Sequence, residues 1–444
     1  MRRRVPYLAI ATVLVVGGTY LRWSPPATQA AASPNAAALA ASATQGRAET
    51  ARLVADYERE VTDTPTASGL KFLAQLYLQR GRLTGDVATY VQARTALDRA
   101  IVLAPEDLEA RGLLAGVLAT THDFERAADK ARSVLAASPD NMGAAAVLGD
   151  AQLELGDYDG ARITYQALAA QQPDAAAVIV RQARLAFLTG DVASARQLAR
   201  RAKDQASASA FGDVGLAFYT TFQGQIEHDT GHYAGAEQYY RQALREAPGY
   251  YIALAGLARE RAAQGHTTDA IARFRQAIAT VPQPDALAAL GDLYTLRHDE
   301  ADARIQYDTI AATATLADIN RQVYNRALAT YEADHDVAVD EALRLAEGEL
   351  TVRRDVYGYD IDAWALYKNH RYDDAKRAAD RALALGTPDA RLLYHAGMID
   401  AALGADGSAI DRLGAALRIS PRFDPVQVAT ARATLAALER KARP

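Results

Sequence analysis

Eight histidines and no cysteine set the metal and nucleophile chemistry open to this chain of 444 residues. Without thiols there is no disulfide, no thiolate nucleophile and no cysteine-type zinc site. Six histidines, His122, His232, His266, His298, His335 and His370, fall in short segments between helical runs, and three of them adjoin aspartate, at Asp123, at Asp299 and at the pair Asp334 and Asp336. Imidazole beside carboxylate is a donor set for transition metals. The candidate ligands are therefore Asp334, His335 and Asp336, the densest cluster, with His298 and His370. The same residues also admit a pH-sensitive edge, or plain turn chemistry in which histidine tolerates unusual backbone angles. Catalytic signatures are missing: there is no G-x-S-x-G elbow, no phosphate loop, no H-E-x-x-H and no dinucleotide fingerprint. The residue types point to binding rather than catalysis, with no cofactor expected.

Whatever holds these residues in place is written in a ruler of alanines: Ala93, Ala127, Ala161, Ala195, Ala236, Ala270, Ala303, Ala342, Ala375 and Ala409. Successive gaps are 34, 34, 34, 41, 34, 33, 39, 33 and 34 residues, and a fixed period near 34 is the signature of stacked helix–turn–helix units. The six histidines then sit in the turns between paired helices and line up along one edge of a solenoid. Neighbouring units lie roughly 10 Å apart for each helix packed, too far to share one ion bound at about 2 Å.

The unit is clearest from Met142 to Asp174. Gly149 and Ala161 stand where two helices cross and only small side chains allow close approach. Gly156 ends the first helix, Tyr158 opens the second, Tyr165 and Leu168 lie on its apolar face, and Pro173 stops it. These residues resemble the tetratricopeptide repeat family. The resemblance recurs at Phe124, Ala127 and Pro139, at Gly224, Gly231, Tyr233 and Tyr240, at Gly265, Phe274 and Pro282, at Gly291 and Tyr307, at Tyr372, and at Gly397, Gly404 and Pro421. It covers residues 68 to 423 and implies an all-α fold: an α-solenoid of about ten helix–turn–helix repeats wound into a right-handed superhelix. Most of the 22 tyrosines match core positions of the repeat. The gaps of 41 and 39 put extra residues near Asp204–Gly212 and Leu316–Val339, where bends, longer helices or seams are expected.

The family's geometry further implies that the first helix of each repeat lines a concave groove. Carried onto this sequence, that face holds His228 and Asp229, Arg259, Asp292, then Tyr357, Asp360, Trp364, Tyr367 and Lys368 in the ninth repeat, and Tyr394 and Met398 in the tenth. Trp, Tyr and a charge on one helical face are hot-spot residue types in protein interfaces, although Trp364 could equally pack against an adjacent helix.

Before the repeats, Arg2, Arg3 and Arg4 precede an apolar run from Val5 to Leu21, which reads as a membrane anchor or a cleaved export signal with the following chain outside the cytoplasm. The expected organisation is a signal or anchor over 1–23, a hydrophobic N-terminal helix, then a flexible Ala/Ser/Pro linker over 24–48, a leading helix and turn over 49–67, the solenoid over 68–423 and a capping helix over 424–444. Net charge is −5 and no basic stripe follows the leader, so nucleic acid is an unsuitable partner. The expected function is a membrane-tethered, periplasmic or secreted bacterial scaffold that binds a protein or peptide in its groove. Metal handling by the turn histidines, or assembly of an envelope complex, are the alternatives.

Overall fold

The computed structural model describes residues 47–84, 88–206, 208–317 and 325–442. The anchor or signal, most of the linker and parts of both inserted segments lie outside the described residues. A leading helix, α1 (Arg47–Asp63), precedes ten helix pairs: α2 (Ala67–Thr84) with α3 (Ala88–Leu103), α4 (Leu108–Thr120) with α5 (Phe124–Ala137), and α6 (Met142–Glu154) with α7 (Tyr158–Gln171). There follow α8 (Ala176–Leu188) with α9 (Val192–Gln205), α10 (Ala208–Asp229) with α11 (Tyr233–Glu246), α12 (Tyr251–Ala263) with α13 (Thr267–Thr280), and α14 (Pro284–Leu296) with α15 (Glu300–Ala317). The last are α16 (Asn325–Asp334) with α17 (Val339–Val352), α18 (Val356–Lys368) with α19 (Tyr372–Ala382), and α20 (Ala390–Ala402) with α21 (Asp406–Ile419). The cap α22 (Gln427–Lys441) packs on α20 and α21, and no strand occurs among the described residues.

Local chemistry sets the boundaries. Asp107, Asn141, Asp157 and Asp191 each cap a helix by accepting a backbone N–H from its first turn. The alanine ruler lies at the crossing point of each pair, where every one of its ten residues is buried. Tyrosine rings then lie flat on glycine: a Cβ on Gly149 would come 2.5 Å from the ring of Tyr165. Tyr240 covers both Gly224 of its own repeat and Gly256 of the next, so one buried ring locks two repeats together. The insertion near Asp204–Gly212 is absorbed as extra turns at the start of α10, which runs to 22 residues.

The superhelix also touches itself. Arg354 N–H donates to the Glu154 carbonyl (2.9 Å) and Val356 N–H to the Tyr158 hydroxyl (2.9 Å). Thr387 donates to the Leu188 carbonyl (2.6 Å), and Tyr233 and Ser420 share a hydroxyl bond (2.7 Å). These partners stand 198, 199 and 187 residues apart, roughly six periods of the repeat. Turns of the third, fourth and fifth repeats therefore rest on the loops after the eighth, ninth and tenth, and successive coils of the solenoid are in contact.

Candidate binding lumen

The first helices of the repeats face inward, and charged pairs tie one to the next. Lys71 of α2 reaches Asp107 (2.9 Å) at the start of α4. Arg181 of α8 holds Asp150 of α6 through two bonds (2.8 and 2.7 Å), all buried, and Tyr165 donates a third bond to the same carboxylate. His228 of α10 pairs with Glu260 of α12 (2.5 Å), and Arg259 with Asp285 at the start of α14 (2.5 Å). His335, just past α16, pairs with Asp292 of α14 (2.6 Å), and His395 of α20 with Asp360 of α18 (2.9 Å).

The ninth-repeat face, expected from sequence as an open hot spot, is closed at Trp364. Trp364 is 2% exposed. Its indole N–H donates to Asp334 (2.8 Å), and its ring stacks on Tyr367 (4.8 Å) and His395 (4.3 Å). Lys368 lies 5.0 Å above the same ring and bridges to Asp336 (2.7 Å). Gln427 of the cap also donates to Asp334, Tyr394 is buried beside Phe423, and Met398 packs on the core. Trp364 therefore takes the packing reading, held by Asp334 of the preceding repeat, Tyr367 of its own helix and His395 of the next, while Tyr367, Lys368 and Met398 remain half-buried. Sequence periodicity marks a face as apolar but not what covers it.

A second inward cluster brings residues of the fifth, ninth and tenth repeats within electrostatic reach of one another. Arg391 of α20 is exposed, and its guanidinium makes no hydrogen bond or ion pair among the described residues, although Asp334, Asp389, Asp424 and Asp360 surround it. The surrounding walls desolvate it, but those four carboxylates outweigh this and hold its pKa above the usual value. Asp229, at the end of α10, faces Asp389 from the opposite coil. Burial and that opposing charge push its carboxyl up to about 7. Tyr357 of α18 feels both aspartates and, chiefly by burial, is held well above the ordinary phenol range. Burial pulls His228 toward neutrality, but its bond to Glu260 and the carboxylate charges outweigh that and raise its pKa. The coil thus brings His228 and Asp229 of the fifth repeat next to Tyr357 of the ninth. It leaves Arg259 and Asp292 engaged in ties between neighbouring helices.

A family model described as tetratricopeptide repeat matches residues 118–179 and 228–293, and a second model of the same description matches residues 90–141 and 363–424. The chain carries tetratricopeptide repeats over these residues. Solved structures similar to it include a tetratricopeptide repeat protein from Parabacteroides merdae, with 15% identity over 58% of this chain and 98% of that one and a TM-score of 0.39. PilW, titled a type IV pilus biogenesis factor, shares 20% identity over 47% of this chain and 93% of its own, with a TM-score of 0.39. The APC/C hetero-tetramer Cut9–Hcn1 shares 14% identity over 92% and 97%, with a TM-score of 0.35. No curated protein matches the chain.

In this chain the turn histidines divide by backbone geometry. His122, His298 and His370 occupy the left-handed position (φ 60 to 61°) that glycine fills in other repeats, as at Gly265 (φ 81°). His232 and His266 instead follow that glycine as helix caps. The expected metal row does not form: among the described residues no three His, Asp or Glu side chains are grouped to hold an ion. Asp334 accepts from Trp364, His335 turns inward to Asp292, Asp336 meets Lys368 and His370 meets Tyr372 (2.9 Å). His298 is exposed. The residues of the coil-to-coil contact were missed from sequence. Their one signal is Arg353-Arg354-Asp355, standing where other repeats end on proline.

Arg353 explains that departure. It is buried against Glu154 (3.2 Å), Glu349 (3.4 Å) and both ring nitrogens of His122 (2.9 Å), and its guanidinium lies 5.4 Å from the Phe124 ring centre. Arg184 pairs with Glu154 (2.6 Å), and Arg326 with Glu349 (3.1 Å) and Asp355. This ionic seam joins the second, third and fourth repeats to the eighth and ninth.

Proposed function

We propose that this protein is a non-catalytic scaffold that holds a segment of a partner protein in its lumen, displayed outside the cytoplasm on its N-terminal segment. The observation that carries the reading is Arg391, an exposed cation without an ion pair among the described residues, within electrostatic reach of Asp229. A guanidinium free on its fork is built for a two-pronged bond to a carboxylate, and a carboxyl raised by a second carboxylate is relieved by an incoming cation. The partner segment therefore carries an acidic group and a basic group a few residues apart. The arginine-flanked apolar run at the N-terminus supports the location, since basic residues stay on the cytoplasmic side.

The test is a photocrosslinking residue in place of Tyr357 of the full-length chain in intact cells, with and without Arg391→Ala. A protein adduct that weakens with the second change is expected. No adduct with any protein would remove the reading, and an adduct indifferent to Arg391→Ala would remove the anchoring cation.

A further inference from the structure

The inward ties described above differ in kind along the chain. Between the first and second repeats the cation is Lys71, and between the third and fourth it is Arg181. Between the fifth and sixth, the seventh and eighth, and the ninth and tenth, the tie is His228–Glu260, His335–Asp292 and His395–Asp360, alternating with the permanently charged Arg259–Asp285 between the sixth and seventh and Arg326–Asp355 between the eighth and ninth. Ammonium and guanidinium groups stay charged across neutral pH, whereas imidazole is the side chain that changes charge there.

We infer that the carboxy-terminal half of the solenoid is proton-regulated, its His228 and His335 ties clamping inner helices in acid and loosening toward alkaline pH, while the amino-terminal half keeps its set. The inference rests on the lumen being the binding site and gives that site its regulation.

The geometry of His228 shows why the tie must respond. Glu260 is fully buried, one of its oxygens bonds His228, and its other oxygen has no hydrogen-bond partner. A buried carboxylate with one partner loses its only compensation when that partner becomes neutral. The groups facing His228 are Glu260 and Arg259 from α12, Tyr233 from α11 and Asp229 on its own helix, with Asp389 behind Asp229. His335 faces Asp292 from α14, Tyr307 from α15, and Tyr331 and Asp334 on its own segment. His395 faces Asp360 and Trp364 from α18 and Tyr394 on its own helix, with Arg391 one turn away toward Asp360.

The sign follows from linkage. Despite the opposing pull of burial, His228 and His335 are raised above 6.5 in the folded chain by their carboxylate partners. Their stabilisation is complete below the unfolded value and is lost as pH rises through the folded one. Asp229, raised to about 7, ionises over the same range. The lumen therefore becomes more negative by up to three charges across neutrality, favouring the basic part of a ligand over its acidic part.

Hydrogen exchange of the full-length chain in detergent at pH 5.5 and 8.5, corrected for the intrinsic rate, tests this without any partner. Amides of α10, α12 and α14 should lose protection at the higher pH relative to pH 5.5, while those of α6 and α8 should not. The double variant His228→Gln, His335→Gln should abolish the difference, and imidazole NMR titration of the native chain provides a readout that needs no variant. Equal pH response in both halves, an unchanged response in the double variant, or imidazoles titrating below 6.5 would each overturn the inference. A positive exchange result with no crosslink from Tyr357 would keep the proton response and discard the binding role.

Discussion

Arg353 offers a measurement that separates a coil in contact with itself from an open spiral. Replacing it with alanine removes a buried cation from Glu154 and Glu349 and empties the space beside Phe124. Breaking a buried ion pair costs about 3 to 5 kcal/mol because a charge is left uncompensated. Here Glu154 keeps Arg184 and Glu349 keeps Arg326, so the lower figure applies. About 3 kcal/mol corresponds to roughly a 150-fold rise in the local opening constant. In an open solenoid that loss would stay within the eighth and ninth repeats, because each unit feels only its neighbours. In the folded chain it must also reach Glu154 to Tyr158, some two hundred residues earlier, through the bonds made by Arg354 and Val356. Hydrogen exchange of Arg353→Ala, resolved to the peptides spanning α6 and α7, reads this directly, and Arg353→Met separates lost charge from lost packing. Native protection at residues 153 to 160 in the alanine variant would refute the contact between coils.

Other consequences can be checked alongside. Trp364→Ala should cost about 3 to 5 kcal/mol by cavity formation, visible as a lowered Tm, and so reports on folding rather than on partner contact. Gly149→Ala drives a methyl into the Tyr165 ring and should lose about 1 to 3 kcal/mol in a denaturant titration. His298→Val places a branched residue in a left-handed turn and should lose about 1 to 3 kcal/mol, whereas His298→Gly should hold or slightly raise the Tm with or without added zinc. Asp229→Asn should stabilise at pH 8 but not at pH 4. The folded pKa is raised, so the native carboxyl is harmless below about 4 and increasingly costly up to about 7, where the substitution should recover about 2 kcal/mol after allowance for solvent in the lumen.

Repetition was open to reading because it is local. Ala161, Tyr165 and Gly156 each answer to a steric demand within some 34 residues, and that demand recurs in every unit. The inner ties were half legible: His228 and Asp229 could be placed on an inward face, but their partners Glu260 and Asp389 depend on which repeat follows and which coil comes round. Trp364 shows the cost of that gap, since its surroundings come from Asp334 in the preceding repeat, His395 in the next and, through Asp334, Gln427 in the cap. Arg391 carries no motif at all, and only the curvature accumulated over the five repeats that separate them brings it near Asp229.

The bonds from Arg354, Thr387 and Ser420 to the coil beneath have a kinetic meaning. Adjacent coils are hydrogen-bonded at three successive turns of their edge, so on the proposed reading the seam narrows sideways entry of a polypeptide. A partner must be threaded from a free end, or wait for the seam to part. On the proposed reading, either route would slow both capture and release of a partner segment.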